Sequence, residues 1–275
     1  MTIGLTGNPT NDKALAVART LHDMLRGRCK MFLDEEIAKG LGLPGAPLST
    51  FDGQILISIG GDGTLIRAAG LVNAPILGVK AGGVGFLTEV DPEEGNLDGA
   101  MERVLNGAYF LEPRMMLASD SAGHLVPDAL NDLVVHVKDV ARMRTFELSI
   151  DRKPFGRIRA DGIVVSTPTG STSYAMSAGG PAVDPQVEAL VVTAIAPYAY
   201  TGRPLVVSPL KEISIRPVGV ERACSVIVDG NYEEDLPEGA SVHCYRSPRR
   251  TTLVRFSNQF FQRLRAKAIL PWDRA

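Results

Sequence analysis

A short glycine-rich segment carries a carboxylate between an apolar run and a helical pattern. Gly60-Gly61-Asp62-Gly63-Thr64 directly follows Ile55–Ile59 and precedes the helical pattern from Leu65 to Leu71. Backbone N–H groups beside glycines can approach phosphate oxygens closely, and the start of the next helix adds a partial positive charge. Asp62 would repel a phosphate unless it binds a cation or accepts a proton. The segment predicts a phosphate site with a chemical role for Asp62; the alternative is that Asp62 only caps the helix.

A polar pair lies within a second strand-like run. Asn131 and Asp132 fall inside Leu130 to Val137, which is otherwise mostly apolar. An amide beside a carboxylate can both donate hydrogen bonds to the vicinal hydroxyls of a ribose and accept them. The alternative is an edge strand whose polar side chains face water.

The most distinctive stretch extends from Asp161 to Pro181. An apolar run, Gly162 to Ser166, leads into a Pro/Gly turn, and a helix rich in hydroxyl and small side chains is expected after it. Hydroxyls and helix-start N–H groups can bind a polar nucleotide, and Tyr174 can stack or pack. The alternative is a solvent-facing Ser/Thr turn, but such a turn would not need the Gly179-Gly180-Pro181 at its end.

Two further glycine-rich passages carry less information. Gly40 to Gly45 matches the G-x-G-x-x-G pattern of dinucleotide-binding loops, but that pattern needs a preceding strand and a following helix. Glu35 to Lys39 indicates helix or loop instead, and Pro44 would interrupt a helix at this position, so we expect a surface connection. The passage from Gly78 to Thr88 also follows an apolar run, and alone it is compatible with any flexible connection.

The composition is that of an ordinary soluble globular chain. A length of 275 residues indicates one large domain or two modest ones, with enough chain to bury a core. The 29 Lys and Arg against 31 Asp and Glu give a formal charge of −2, which argues against nucleic acid as the main partner. No run approaches the ~20 apolar residues of a membrane span, so no membrane association is expected.

The cysteines and the N-terminal segment indicate the cytoplasm. Cys29, Cys224 and Cys244 are odd in number and lack CxxC spacing, so a disulfide scaffold and a structural zinc site are not expected. The first residues lack the basic region and long apolar segment of a signal peptide.

The first hundred residues alternate strand-like and helical patterns. Ile3 to Leu5, Met31 to Leu33, Ile55 to Ile59 and Ile76 to Val79 are expected strands. Between the first two, Leu15, Ala18, Leu21 and Leu25 recur at helical spacing. Strands that alternate with helices predict a parallel sheet covered on both faces, in a Rossmann-like α/β nucleotide domain.

From about Pro113 the pattern changes to short β-rich runs, which predict a mostly antiparallel, β-sandwich-like domain. Thr145 to Ile150 alternates with period two, and Asp151 to Lys153 provides a hairpin connection. Near the C-terminus an apolar stripe predicts a helix that returns to the first domain, formed by Phe256, Phe260, Phe261, Leu264 and Ala268. The expected domains are residues 1–110 plus 252–275, and residues 111–251.

Together these motifs resemble those of the ATP-dependent NAD kinases. The family pairs GGDGT with an Asn-Glu dipeptide, a DG-x-x-x-STPTGSTAY-x-x-SAGGP block and a later Asp-Gly/Ser-Gln motif. Here they correspond to Gly60 to Thr64, Asn131-Asp132, Asp161 to Pro181 and Asp229-Gly230-Asn231, spread over most of the chain. GGDG alone is shared with diacylglycerol kinases and 6-phosphofructokinases, whereas the long Ser/Thr block is not.

Three positions depart from the family pattern. Asp132 replaces the usual Glu, and Asn231 replaces the usual Gln; each is one methylene shorter. Gly83 stands where many relatives have Arg, before the Gly-Phe-Leu-Thr segment. None of the three changes Asp62, so the departures bear on NAD affinity and cofactor preference.

The resemblance implies transfer of the γ-phosphoryl group of ATP to the 2′-hydroxyl of the adenosine ribose of NAD, which gives NADP. Asp62 would accept the hydroxyl proton or help to hold a divalent ion, with Mg²⁺ expected. The implied phosphate- and nucleotide-binding residues are Gly60, Gly61, Gly63, Thr64, Arg67 and Phe86. The implied NAD-binding residues are Asp62, Gly63, Asn131, Asp132, Arg142, Arg159, Asp161, Thr172, Ser173, Tyr174, Ala175, Met176, Ser177, Ala196 and Asn231.

The family also forms homodimers or homotetramers with sites near subunit contacts, so a homo-oligomer is expected. Two alternatives remain open at this point. One is a lipid or sugar kinase that shares GGDGT, and the other is a dinucleotide sensor that binds NAD without producing NADP.

Overall fold

A computed structural model describes residues 1–83, 85–139, 142–198, 202–219 and 223–266, and it divides into two compact units. The first unit contains Met1–Pro113 together with the chain from Thr251, and the second contains Arg114–Arg250. The sequence predicts these divisions at 110/111 and 251/252. The chain enters the second unit within strand β5 (Phe110–Ser121) and returns within β16 (Val242–Arg255).

The first unit is a parallel sheet flanked by helices. Its strands lie in the order β2-β1-β3-β4, and the end of β16 pairs parallel to β4 through Leu253 and Ile76. The strands are β1 (Thr2–Gly7), β2 (Lys30–Leu33), β3 (Ile55–Gly60) and β4 (Ile76–Lys80). The helices are α1 (Asp12–Leu25), α2 (Glu35–Leu41), α3 (Asp62–Leu71) and α4 (Leu97–Leu105). The predicted Rossmann-like α/β architecture is confirmed.

Apolar periodicity and capping explain the helix that covers this sheet. Asn11 precedes α1, and its side chain accepts a hydrogen bond from the backbone N–H of Ala14, which satisfies one of the free donors of the first turn. Ala18, Leu21 and Leu25 are fully buried on the sheet side of α1. All six residues of β3 are buried, as expected for a central strand of a parallel sheet.

The second unit is built from antiparallel strands. One sheet has the order β12-β11-β10-β7-β14-β15. A second sheet contains the neighbouring strands β16-β13-β8-β9. The strands are β6 (His124–Ala129), β7 (Asp132–Val137), β8 (Arg144–Ile150), β9 (Lys153–Ala160), β10 (Gly162–Ser166), β11 (Leu190–Ile195), β12 (Leu205–Val207), β13 (Ile213–Val218), β14 (Cys224–Val228) and β15 (Tyr232–Leu236).

Both sheets of the second unit contribute side chains to one hydrophobic core. Phe146 of β8 and Ile215 of β13 pack in the same cluster as Leu133 of β7 and Val165 of β10, and all four are fully buried. A core formed by two sheets is that of a β-sandwich, which confirms the predicted β-rich architecture.

The C-terminal helix α6 (Phe260–Ala266) returns to the first unit, as predicted. The Phe260 ring centroid lies 6.5 Å from that of Phe86, and Leu264 is buried. The expected apolar stripe is only partly correct: Phe261 is 61% exposed, and Phe256 lies before the helix. Ala268 lies outside the described residues. Within the described chain, none of the helices combines the length and apolarity needed to cross a membrane.

Candidate functional site

The helix α3 begins at Asp62 itself, three residues earlier than the apolar periodicity predicts. Gly61 occupies the N-cap position, and no side chain caps the helix. The alternative in which Asp62 is the capping residue is therefore wrong. Asp62 is the first residue of the helix, its side chain is partly exposed, and its carboxylate points to another segment of the chain.

The carboxylate of Asp62 binds the backbone of the loop after β4. Its Oδ2 accepts a hydrogen bond from the N–H of Phe86 at 2.7 Å, and its Oδ1 accepts one from the N–H of Leu87 at 2.9 Å. The contact requires a glycine at position 85, because a Cβ built there would lie 2.2 Å from Asp62 Oδ1. A carboxylate has about four lone-pair directions, so two remain for another donor.

The glycines around Asp62 leave open space above the start of α3. Among the described residues, no heavy atom lies within 4 Å of a Cβ built at Gly61 or Gly63. Gly60 differs, because a Cβ there would meet the Thr64 hydroxyl at 2.4 Å. A helix start with accessible backbone N–H groups is a suitable anion site.

Arg67 lies one turn along α3 from the glycine turn and pairs with a neighbouring helix. Its Nη2 donates to Glu36 Oε2 of α2 at 2.8 Å, and this hydrogen bond lowers the pKa of Glu36. Phe86 contacts Asp62 through its backbone N–H, while its ring lies near Phe260. Of the predicted phosphate-binding residues, those from Gly60 to Thr64 therefore form the turn at the start of α3, and the guanidinium of Arg67 is held by Glu36.

In the second unit, Asn131 and Asp132 lie at the start of an interior strand. Strand β7 begins at Asp132 and pairs with β10 on one side and β14 on the other. Asp132 is only 5% exposed. The alternative of an edge strand facing water is therefore wrong.

Asp229 holds the backbone around this polar pair. Its carboxylate accepts hydrogen bonds from three consecutive N–H groups, those of Leu130 at 2.8 Å, Asn131 at 2.8 Å and Asp132 at 3.0 Å. In return, the N–H of Asp229 donates to the carbonyl of Asp132 at 2.9 Å. Asp229 has a positive φ of 51°, a conformation that Asp tolerates better than most residues.

Asp132 and Asp229 form a buried pair of carboxyl groups. Burial, and after it the negative charge of Asp229, raise the pKa of Asp132 to about 7, although a hydrogen bond with the Ser173 side chain opposes the shift. Burial also raises the pKa of Asp229, against the three backbone N–H groups that favour its ionised form. Because Asp132 has fewer donors around it, Asp132 is the member that takes up a proton first.

The Ser/Thr-rich block packs directly against Asn131. The N–H of Thr167 donates to the carbonyl of Asn131 at 2.8 Å, and its hydroxyl donates to the carbonyl of Leu130 at 2.6 Å. A Cβ at Gly170 would lie 2.1 Å from the Asn131 carbonyl oxygen, so only glycine allows this approach. The structure therefore brings together the Asn-Asp pair, the Ser/Thr block and Asp229.

The expected hydroxyl-rich helix is much shorter than predicted. A 3-10 turn (Gly170–Thr172) is followed by a single helical turn, α5 (Tyr174–Ser177). Several hydroxyls bind nearby carbonyls: Ser171 donates to Pro168 at 2.7 Å, and Thr172 donates to Thr169 at 3.2 Å. These hydroxyls stabilise the tight turn, because the segment is too short to satisfy its backbone as a regular helix.

The remaining predicted residues of this block differ in exposure. Tyr174 is 39% exposed, and its ring is accessible to a ligand. Ala175 is fully buried in a small cluster with Val134 and Val164, so its side chain cannot contact a ligand. Met176 is partly buried, and Ser177 is exposed.

A second group of predicted residues lies at the opposite end of β10. In the register of β10 and β7, Ser166 pairs with Asp132 and Gly162 pairs with His136. Asp161 precedes Gly162, so it lies about 17 Å from Asp132 along the strand, at about 3.4 Å per residue. Asp161 helps to line a cavity of about 380 Å³ whose other polar side chains are His136, Lys138, Asp139, Ser225 and Glu233.

Arg159 and Ala196 lie near Asp161. The N–H of Asp161 donates to the carbonyl of Ile195 at 3.0 Å, which brings the exposed Ala196 beside it. The guanidinium of Arg159 lies 5.3 Å from the centre of the Tyr198 ring. Arg142 is exposed ahead of β8, and Asn231 is exposed in the hairpin turn between β14 and β15.

Two residues that organise the site were not singled out from the sequence. Gly85 and Asp229 lie inside the motifs Gly-Phe-Leu-Thr and Asp-Gly-Asn, but the motifs alone predict no role for these two residues. The Asp-Gly dipeptide at 229–230 was the available signal for a turn in which Asp binds backbone N–H groups.

Comparison with known proteins identifies related chains. The ATP-NAD kinase N-terminal domain matches residues 45–109, and the ATP-NAD kinase C-terminal domain matches residues 130–256. An NAD kinase of Methanothermobacter thermautotrophicus is 38% identical over 277 residues, with coverage of 98% of this chain and 96% of the relative. An NAD kinase of Thermoplasma acidophilum is 34% identical over 253 residues, with coverage of 92% of each chain.

Two solved structures share the architecture. The crystal structure of an NAD kinase from Archaeoglobus fulgidus in complex with ATP gives a TM-score of 0.77 at 27% identity, with coverage of 97% of this chain and 98% of that one. The crystal structure of yeast NADH kinase complexed with NADH gives a TM-score of 0.89 at 22% identity, with coverage of 100% and 89%. At the latter identity the likeness shows the fold alone.

The raised pKa of Asp132 predicts how stability depends on pH. An unfolded Asp titrates near pH 4, whereas folded Asp132 titrates at about 7. Between these values the folded chain binds more protons, so its free energy of unfolding falls as the pH rises toward 7. The side chain of Asp132→Asn cannot titrate, so the variant does not lose this stability as the pH rises. Its free energy of unfolding relative to the wild type, measured by urea unfolding, should increase by roughly 1–3 kcal/mol from pH 5 to pH 8. Substitution of the exposed Asp52 by Asn serves as the control. If the free energies of unfolding of the wild type and Asp132→Asn differed by the same amount at both pH values, the raised pKa of Asp132 would be contradicted.

Proposed function

This chain belongs to the ATP-NAD kinase family, and on that premise we propose that it transfers the γ-phosphoryl group of ATP to the 2′-hydroxyl of the adenosine ribose of NAD. The products are NADP and ADP. The observation that carries the proposal is the turn from Gly60 to Thr64, where accessible glycines and an oriented carboxylate lie together at the start of a helix. A lipid or sugar kinase is not favoured, because the family match extends over the Asn-Asp pair and the Ser/Thr block.

Asp62 is the proposed acceptor of the ribose hydroxyl proton. The hydroxyl oxygen attacks the γ-phosphorus, the bond from that phosphorus to the bridging β-phosphate oxygen breaks, and ADP leaves. Such a transfer depends chiefly on positioning and on charge stabilisation. The hydrogen bonds from Phe86 and Leu87 fix the direction of the carboxylate, and its remaining lone pairs are free for the hydroxyl.

The glycine turn is the proposed phosphate-binding element. Gly60, Gly61, Gly63 and Thr64 surround the start of α3, where backbone N–H groups and the helix dipole favour phosphate oxygens. The guanidinium of Arg67 is paired with Glu36, so it would have to leave this pair in order to bind a phosphate.

The Asn131–Asp132 cluster is the proposed ribose-binding element of the second unit. Asp132 Oδ2 is buried and has no hydrogen-bond partner among the described residues, so a ligand hydroxyl would satisfy it. Tyr174 offers an accessible ring for a base, and Ser173 and Ser177 offer hydroxyls beside it. Thr172, Met176 and Ala175 are proposed to shape this surface, Ala175 through its backbone only.

Magnesium is the proposed divalent ion. Hard oxygen ligands and a triphosphate favour an ion that enters on the triphosphate and takes few protein ligands. As the alternative to proton acceptance, Asp62 is the carboxylate at the glycine turn that would help to hold it. When bound, the ion supplies neutralisation of the phosphate charge.

A homodimer or homotetramer is the proposed assembly, and a second copy is proposed to complete the NAD site. Asp161, Arg159 and Ala196 lie at the opposite end of β10 from Asp132, about 17 Å away, too far for both groups to contact one ribose. The three unpaired cysteines support the reducing cytoplasm as the compartment. Neither nucleic acid nor membrane is a proposed partner.

Incubation of the chain with ATP, magnesium and NAD should produce NADP, detected with an NADP-specific dehydrogenase. Asp62→Asn keeps the shape of the side chain but removes its charge and basicity, so its turnover should fall about 10²–10⁴-fold. Its NAD affinity, measured by calorimetry, should remain close to that of the wild type, and Asp52→Asn should match the wild type in both measurements.

Each other outcome of this experiment identifies an alternative. A wild-type chain that binds NAD but produces no NADP would be a dinucleotide sensor. A chain that ignores NAD and phosphorylates a lipid headgroup or a sugar would be a different kinase. An Asp62→Asn variant that keeps more than about a tenth of the wild-type turnover would contradict the role of Asp62.

Subunit mixing tests the second copy. Asn131→Ala and Asp161→Ala should each raise the Michaelis constant for NAD, by roughly tenfold if one buried hydrogen bond is lost. When the two variants are co-expressed and purified through two different tags, one of the two sites in each mixed dimer should regain wild-type affinity. Pairing Asn131→Ala with the Asn131→Ala/Asp161→Ala double variant is the control, since it restores no site. Mixed dimers that only average the two parents would show that one copy supplies both residues.

A further inference from the structure

The loop that binds Asp62 is itself held by two arginines from the C-terminal part of the chain. Arg263 of α6 donates through Nη1 to the carbonyl of Phe86 at 2.6 Å. Arg255, at the end of β16, donates through Nη1 to the carbonyl of Leu87 at 2.8 Å. Phe86 and Leu87 therefore each bind Asp62 through the N–H and an arginine through the C=O.

A buried glutamate connects these arginines. The side chain of Glu89 is 2% exposed, and its Oε2 accepts hydrogen bonds from Arg255 at 3.1 Å and from Arg263 at 3.0 Å. Its Oε1 accepts from the N–H groups of Phe256 at 2.8 Å and Ser257 at 3.2 Å. Glu89 thus fixes both arginines and the backbone between β16 and α6.

The charges of Arg255, Arg263 and Glu89 influence one another. Arg255 is also bound through Nε to Glu112 at 2.9 Å, and its side chain is 5% exposed. Burial lowers the pKa of Arg263, the charge of Arg255 lowers it further, and the charges of Glu89 and Asp62 oppose these shifts. The negative charge of Asp62 is therefore close enough to favour the positive charge of Arg263.

The peptide group between Phe86 and Leu87 links the buried ions to the carboxylate of Asp62 directly, because its C=O accepts from Arg263 and its N–H donates to Asp62. Arg255 binds the next C=O, that of Leu87. If an arginine is removed, the carbonyl it binds is released, and the N–H groups lose their fixed direction toward Asp62. A lysine cannot replace Arg263 fully, because one ammonium lacks the planar fork that reaches the Phe86 carbonyl and Glu89 together.

We propose that Glu89, Arg255 and Arg263 are positioning residues for phosphoryl transfer, which act on Asp62 through the backbone of Phe86 and Leu87. The proposal rests on the proposed function of Asp62 and adds residues that lie outside the glycine turn. None of the three has to touch a substrate in order to act in this way.

The test compares Arg263→Met, Arg263→Lys and Arg28→Met in the full-length chain, each with and without Asp62→Asn. Arg28 is the control for loss of an arginine–glutamate pair, because it forms a bidentate pair with Glu102 at 2.7 and 3.0 Å at the surface of the same unit. The measured quantities are kcat and the Michaelis constant for NAD per mole of folded enzyme, with folding checked by circular dichroism.

Arg263→Met should lower kcat by roughly ten- to a hundredfold and leave the Michaelis constant for NAD within about twofold, because a displaced catalytic group costs turnover first. Arg263→Lys should fall between Arg263→Met and the wild type, and Arg28→Met should match the wild type. In the Asp62→Asn background, Arg263→Met should cause no further loss beyond about twofold, since both changes act through one carboxylate.

Two results would overturn the proposal. The first is a kcat of Arg263→Met within about twofold of that of Arg28→Met. The second is the same fold loss in kcat from Arg263→Met whether or not Asp62→Asn is present, which would indicate a general structural effect. Either result leaves the proposed function intact if the wild type produces NADP. A wild type that produces no NADP would instead refute the proposed function itself.

Discussion

The hydrogen bonds between the Asp62 carboxylate and the backbone of Phe86 and Leu87 are the constraint on which the first unit's site depends. They join residues 24 and 25 positions apart in the chain, at the ends of the neighbouring strands β3 and β4. The carboxyl ends of parallel strands meet at one edge of the sheet, where ligands of such sheets bind. Arg255 and Arg263, from the C-terminal part of the chain, bind carbonyl groups of the same loop. The C-terminal segment therefore contributes to the position of Asp62.

The second unit orients its polar residues by a different use of a carboxylate. Asp229 accepts three consecutive backbone N–H groups and so fixes the segment that carries Asn131 and Asp132. Asp132 is buried beside this carboxylate, and its burial, followed by the negative charge of Asp229, raises the pKa of Asp132 to about 7. Near neutral pH Asp132 can therefore donate as well as accept, which suits the hydroxyls of a ribose.

Local patterns predicted much of the fold and the identity of the site. The apolar run before Gly60 predicts a strand and the periodicity after Asn11 predicts a helix, each from residues adjacent in the sequence. The structure contains both, as β3 and α1. The contact between Gly85 and Asp62 could not be predicted in this way, because it depends on two loops that meet only after the sheet has formed. The hydroxyls of Ser171 and Thr172 bind carbonyls of their own turn, which composition alone does not distinguish from hydroxyls that face a ligand. Phe261 is exposed although its position fits an apolar stripe, whereas Leu264 of the same helix is buried.

The most direct measurement of the central claim compares the turnover of Gly85→Ala with that of Gly83→Ala. A Cβ at position 85 would lie 2.2 Å from Asp62 Oδ1, whereas a Cβ at position 83 would meet no described atom within 4 Å. The account predicts that Gly85→Ala loses roughly a hundredfold in kcat, because the carboxylate and the two N–H groups are forced apart. Gly83→Ala should retain the wild-type kcat, and the NAD affinity of Gly85→Ala should be unchanged. Equal turnover of the two folded variants would contradict the claim that the loop backbone sets the position of Asp62.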